Sequence, residues 1–172
     1  MNRLLTAGLV VIIALAVPAC TKKSTDPSTN APPKFQAALL QSNEFPVISN
    51  ADAAGSGLAN VTLHLTRDAS NNITAATADF VVTLQNFPAG TSLTGAHIHP
   101  GRPGTSGGVI VSTGLASGEI VLTNGSGTIT KTGVNVDATV AQNIINDPIG
   151  FYFNVHTTVS TGGAVRGQLV AQ

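Results

Sequence analysis

Three histidines have the residue type and spacing of a metal site. His97 and His99 lie one residue apart in the segment 94–101, and His156 ends the later apolar run 151–156. Residues two apart on a strand project from the same face, so His97 and His99 are expected to lie side by side. Imidazole nitrogens bind copper and zinc, the latter at about 2.0–2.1 Å. We therefore hypothesise a copper or zinc site at His97, His99 and His156.

The alternative is a structural role, in which the same histidines hydrogen-bond to backbone and hold the glycine-rich loop 101–108 on the sheet. Spacing alone does not bring the three rings together. If they do bind a metal, binding should fade as the pH falls through about 6.5, where free imidazoles become protonated.

Other polar residues carry weaker signals. Arg166 is a candidate either for steering an anion or for bracing a loop carbonyl. His64, between two threonines of an alternating segment, is expected to be an exposed surface residue. The acidic residues are scattered without a paired spacing, and no serine or cysteine nucleophile stands with a base. The sequence thus favours a protein that is not an enzyme.

The elements that must position these residues are short strands. Alternating apolar and polar residues separated by turn signals predict about eight strands, including 35–40, 57–66 and 73–84. The segment 137–147 is predicted as one short helix, which Asp137 caps. The pattern predicts an all-β fold, an antiparallel Greek-key sandwich or barrel of the superoxide dismutase or immunoglobulin kind.

The sequence also predicts a hairpin and which side chains face the core or the outside of the sheet. Asn124-Gly125 favours a two-residue turn that would place Ile120 opposite Ile129. In the strand 151–156, the apolar residues claim the core, so His156 should face outward. Arg166 falls on the same outer, polar side, where a loop would cover a partly accessible site.

Composition limits the function. Of 172 residues, 42% are apolar and only 9% are charged, and the net charge is zero. This balance argues against a nucleic-acid partner, which requires a basic surface. It also argues against disorder, because the chain has enough apolar residues to form a core.

The N-terminus has the pattern of an export signal. Arg3 precedes the apolar run 4–17, and small residues lead to Cys20. The run resembles a bacterial lipoprotein signal peptide, 1–19, whose cleavage leaves Cys20 for lipid modification. The alternative is an ordinary secretory signal with an incidental cysteine.

The rest of the chain divides into a tether and a domain. Residues 20–34 contain the lipidation cysteine and a polar, proline-containing tether, and residues 35–172 contain the predicted domain. The chain has one cysteine, so the mature protein would have no internal disulfide. This organisation predicts a lipoprotein that is anchored to a membrane of the bacterial cell envelope and faces the periplasm or the exterior.

Three stretches resemble a known family. The motif GAHIHPG (95–101), with the endings FNVHTT (153–158) and GAVRGQL (163–169), is similar to the CHRD domain, first named from chordin. The resemblance covers about 35–172 and implies an all-β extracytoplasmic domain whose general biochemical role is poorly defined.

A weaker resemblance concerns the histidines. In copper–zinc superoxide dismutases a His-x-His pair and a later Val-His supply copper ligands near an arginine, and His97, His99, His156 and Arg166 match that pattern. The bridging and zinc-site histidines and the paired cysteines are absent here, so dismutase activity is not expected. We therefore expect a binding or structural module of the envelope, with a protein or glycan partner left open. The alternative is a copper or zinc protein that uses the three-histidine site.

Overall fold

Strands dominate the computed structural model, which describes residues 31–172. The predicted signal peptide and Cys20 lie outside the described residues. The strands of the described part are β1 (Lys34–Leu40), β2 (Ser56–Arg67), β3 (Ile73–Gln85), β4 (Thr91–Pro100), β5 (Val111–Ser112), β6 (Val121–Leu122), β7 (Gly127–Val136), β8 (Phe151–Thr157), β9 (Val165–Gln168) and β10 (Val170–Ala171). The described residues also form one α-helix, α1 (Ala138–Asn146), and three single-turn 3-10 segments (Gln41–Asn43, Ala51–Ala54 and Pro148–Gly150).

All strand pairs are antiparallel and form one sheet in the order β5-β4-β8-β9-β1-β2-β3-β7. β10 pairs with β1, and β6 pairs with β4. The sheet is barrel-like and nearly closed. The all-β fold with one short helix, predicted from the sequence, is therefore confirmed.

The inner face of the sheet forms the core. Ile98 on β4 lies opposite Phe153 on β8, and both are fully buried. Ala96 and Val155 form the next buried pair on that face. Burial of each large apolar side chain stabilises the folded state by about 1.5–3 kcal/mol. A shift of one residue would expose all of them, so burial fixes the strand register. The histidines alternate with these core residues along β4 and β8, so they must project from the other face.

The helix forms where the sequence predicts it. The Asp137 carboxylate accepts hydrogen bonds from the backbone N–H groups of Thr139 and Val140, as an N-cap does. Ala141 and Ile144 are buried, and the helix ends before Pro148. No helix of the described residues is both long and apolar enough to span a membrane.

The hairpin predicted at Asn124-Gly125 is wrong. A turn forms one residue earlier than predicted, over 122–125, where the Gly125 N–H donates to the Leu122 carbonyl at 2.9 Å. However, β6 pairs with β4 and β7 pairs with β3, where Ile129 lies opposite Val82 rather than Ile120. β7 extends over ten residues, so its long ladder with β3 outweighs a hairpin of a few residues.

Candidate metal centre

Strand register places the histidines on one face of the sheet. His97 on β4 lies opposite Asn154 on β8, which lies opposite Arg166 on β9. Residues directly opposite each other in an antiparallel sheet share a face, as do residues two apart along a strand. His99 and His156 therefore project from the same face as His97, in agreement with strand alternation.

A glycine next to the pair gives His97 the space to lean across the sheet. Gly95 lies opposite His156, and a Cβ atom at Gly95 would be only 2.8 Å from Cε1 of His97. A larger residue would displace the imidazole. With glycine in place, the ring centroids of His97 and His156 are 4.9 Å apart.

The three rings form a compact cluster. The centroid of His99 lies 5.7 Å from that of His97 and 6.3 Å from that of His156. One ring nitrogen of each residue lies within 4.8 Å of the other two. Three nitrogens bound to one ion at 2.0–2.1 Å would be about 3.3–3.6 Å apart. Small side-chain rotations, which move the nitrogens by about 1 Å, would therefore bring the cluster to ligand distances.

Backbone carbonyls fix the protonation of two rings. Nδ1 of His99 donates to the Gly107 carbonyl at 2.9 Å, and Nδ1 of His156 donates to the Thr161 carbonyl at 2.9 Å. A carbonyl only accepts, so Nδ1 carries the proton and Nε2 of each neutral ring carries a lone pair. Within residues 31–172, these two Nε2 atoms and Nδ1 of His97 are buried without a hydrogen-bond partner. Carbonyls that orient a histidine in this way are typical of metal ligands.

Burial also favours the neutral form of His97 and His156. It lowers the pKa of His97 to about 4, and repulsion from protonated His156 and His99 acts in the same direction. Burial likewise lowers the pKa of His156, against the opposing effect of the Thr161 carbonyl. Neutral imidazole is the form that binds metals. Competition from protons should therefore begin below the pH of about 6.5 expected for free imidazole.

Arg166 holds the β4–β5 loop (residues 101–110), which provides the carbonyl for His99. The arginine is 1% exposed, and it donates to the carbonyls of Thr105 at 2.7 Å and Arg102 at 3.0 Å. Its guanidinium carbon lies 3.4 Å from the centroid of the Tyr152 ring, and that ring stacks on His99 with a centroid distance of 4.9 Å. These contacts are those of a loop brace, one of the two roles expected from the sequence.

Asp52 holds the β8–β9 loop (residues 158–164), which provides the carbonyl for His156. Asp52 is fully buried, and its Oδ2 accepts from the hydroxyls of Thr157 at 2.6 Å and Ser160 at 2.7 Å. Ser160 directly precedes Thr161, the partner of His156. Asp52 therefore positions His156 through the loop.

Sequence reasoning missed Asp52 and Tyr152. Strand alternation places Tyr152 on the face of His156 but gives it no role, and no local pattern marks Asp52. The importance of both residues depends on which strands and loops are neighbours. His64, by contrast, is exposed as predicted, and its Nε2 lies 2.8 Å from a carboxylate oxygen of Asp79. It is not a member of the cluster.

The fold and the cluster together define an antiparallel, barrel-like β-domain with three histidines on one face. The CHRD domain model matches residues 35–169, and the chain belongs to the CHRD family. No curated protein and no solved structure matches this chain. The resemblance inferred from the histidine and C-terminal motifs is thus confirmed for CHRD.

Proposed function

We propose that this chain is a lipid-anchored extracytoplasmic CHRD domain that binds a copper or zinc ion through His97, His99 and His156. Two observations support the metal site. One ring nitrogen of each histidine lies within 4.8 Å of the other two, and each ring has one buried nitrogen without a hydrogen-bond partner among the described residues. A buried polar atom without a partner costs about 1–3 kcal/mol. One ion at the centre would satisfy all three nitrogens.

The donor set suits such an ion. Three neutral nitrogens match the preference of copper and zinc for imidazole, and three protein ligands leave a position for water or an exogenous ligand. His97 and His156 are partly exposed, so the ion would enter from solvent. None of the three ligands is anionic, so the bound ion would keep its full charge and would attract an anionic ligand.

The second candidate is a purely structural role, which the bonds from Nδ1 of His99 to Gly107 and from Nδ1 of His156 to Thr161 favour. This role explains the hydrogen bonds that Nδ1 makes in the rings of His99 and His156. It does not explain the burial of the other nitrogen, nor the position of His97, whose buried Nδ1 has no partner within the described chain.

Calorimetric titration of the metal-free protein with Zn²⁺ and Cu²⁺ tests the metal site. We expect binding of one ion, which His97→Ala and His156→Ala weaken at least tenfold. His64→Ala is the matched control and should leave binding unchanged, because His64 is exposed and outside the cluster. Absence of heat at micromolar protein, or loss of binding in the His64 variant alone, would refute the site.

The anchor and the envelope location are supported by the sequence of residues 1–20. Metabolic labelling with a radioactive fatty acid tests them. Label should appear in the wild-type protein and be lost in Cys20→Ser. Equal labelling of both proteins would refute the anchor, and so would absence of label from the wild type.

A further inference from the structure

A cavity of about 420 Å³ lies outside the histidine cluster. β1 and the segment that follows it form one part of its wall, and the β4–β5 loop and the C-terminal strands contribute the rest. None of the three histidines lines it. Its volume falls in the range of small-molecule sites, about 300–1,000 Å³.

Glu44 lines this cavity and also a second one of about 230 Å³. Only 6% of the residue is exposed, and its Oε1 has no hydrogen-bond partner within residues 31–172. Arg166 attracts the carboxylate, but the hydrogen bonds of that arginine go to the β4–β5 loop and to Gln168. The Phe45 backbone N–H donates to the carboxylate, but Oε1 has no donor. A buried carboxylate oxygen without a donor is costly, so an external donor to Oε1 would be favoured here.

The backbone beside Glu44 is shaped to accommodate its carboxyl group. A Cβ atom at Gly163 would lie 2.6 Å from Oε1 and 2.7 Å from Oε2. Gly163 also has a φ of 136°, which residues with a side chain rarely adopt. The carboxyl group therefore rests against a bare Cα atom.

The rest of the cavity wall is largely apolar. Phe45, Val47 and Val170 line it and are 53%, 64% and 51% exposed. Of the lining residues, Glu44 is the only ionisable one. One acidic group inside an exposed apolar wall is complementary to a positive charge on a hydrocarbon body.

We propose that this cavity binds an organic ammonium ion with an apolar body, whose N–H donates to Glu44 while its hydrocarbon packs on Phe45 and Val47. The site uses none of the three histidines and is independent of the metal. The two proposals therefore stand or fall separately.

The interaction has a defined pH dependence. Burial raises the pKa of Glu44 to about 7, against the opposing attraction of Arg166 and the hydrogen bond from the Phe45 backbone. A cation requires the ionised carboxylate, so affinity should fall as the pH drops below 7. At pH 5.5 only a few per cent of the carboxyl groups would be ionised, and binding should be at least tenfold weaker than at pH 8.5.

Phenethylammonium chloride is a suitable probe, titrated calorimetrically into the full chain with EDTA present. We expect saturable binding of one molecule at pH 8.5. 2-Phenylethanol, which has the same apolar body and no charge, should bind at least tenfold more weakly. Absence of saturable binding at millimolar phenethylammonium, or equal binding of the two probes, would overturn the proposal.

Variants locate the site. Glu44→Gln should weaken phenethylammonium binding at least tenfold and remove its pH dependence. Ala38→Leu keeps the carboxylate and narrows the cavity that Ala38 lines, so it should also weaken binding. Glu119→Gln, which changes an exposed acid paired with Lys131, is the control and should bind as the wild type does. Wild-type affinity in both cavity variants would overturn the proposal.

Discussion

The β4–β5 and β8–β9 loops each give one carbonyl to a histidine, but residues of opposite charge hold them. Arg166 donates to carbonyls of the first loop, and Asp52 accepts from the hydroxyls of Thr157 and Ser160 at the second. The sign of each charge follows from what its loop presents. A loop that offers carbonyls requires a donor, whereas hydroxyl groups can be fixed by an acceptor.

The two loops also differ in length and glycine content. Each has local hydrogen bonds: the Thr157 hydroxyl accepts from the Ser160 N–H at 2.8 Å, and the Arg102 carbonyl accepts from the N–H and the hydroxyl of Thr105. The β4–β5 loop is longer and contains four glycines, which lose the most conformational freedom on folding. We therefore expect the β4–β5 loop to depend more strongly on its charged anchor.

The largest effect is expected from Arg166→Met. The change removes two charge-assisted hydrogen bonds. It leaves the Thr105 carbonyl without its donor, whereas the Arg102 carbonyl keeps the bonds from the N–H and the hydroxyl of Thr105. Urea unfolding should show a loss of about 3 kcal/mol, and amide exchange should accelerate in the β4–β5 loop. Arg166→Lys keeps the positive charge but not the planar guanidinium group with its several N–H donors, so it should lose less stability than Arg166→Met. Faster exchange in the β8–β9 loop alone would contradict the assignment.

The next effect is expected from Asp52→Asn, which keeps the shape but weakens the bonds from Thr157 and Ser160. The free energy of unfolding should fall by about 2 kcal/mol, with faster exchange in the β8–β9 loop. Asp147→Asn, at an exposed pair with Arg102, is the control and should cost less than about 1 kcal/mol. An equal loss in the two variants would show that Asp52 is not an anchor.

A smaller effect is expected at Glu44, which contacts Gly163 of the β8–β9 loop and shares a cavity wall with Pro103 of the β4–β5 loop. Its pKa is about 7 when folded and 4.5 ordinarily, so the folded state binds the proton more tightly. The resulting stability is fully present below about pH 4.5 and is lost as the pH rises through 7. With solvent screening at the cavities, the change should be about 1–2 kcal/mol.

Urea unfolding at several pH values measures this change. Glu44→Gln should flatten the decline in stability between pH 4.5 and 7, because glutamine does not titrate. If the variant keeps the wild-type slope, the carboxyl group of Glu44 is not its source.

Local patterns predicted much of the fold and part of the site. A period of two residues was enough to place Phe153 in the core and His156 on the opposite face, because alternation is a property of each strand alone. The Asn124-Gly125 motif was equally clear in the sequence, yet the strands on either side of it pair with β4 and β3 rather than with each other. Strand partners depend on the competition between distant segments, which a local motif does not contain.

The loop anchors lay beyond sequence reasoning for the same reason. Asp52 is more than 100 residues from Thr157 and Ser160, and Arg166 is more than 60 residues from the carbonyls that it contacts. The arginine was a candidate because it matched a motif. The aspartate matched none, and only the folded chain brings it to the loop that carries the partner of His156.

The central proposal is that the two loops orient His99 and His156 so that Nε2 of each, together with Nδ1 of His97, can bind one ion. Nitrogen-15 NMR of the imidazole rings, recorded without metal and with one equivalent of Zn²⁺, tests it most directly. Without metal, His99 and His156 should carry the proton on Nδ1. With metal, the signals of both Nε2 atoms and of Nδ1 of His97 should shift together, while those of His64 stay fixed. Protons on Nε2 of His99 and His156, or a shift confined to His64, would contradict the claim.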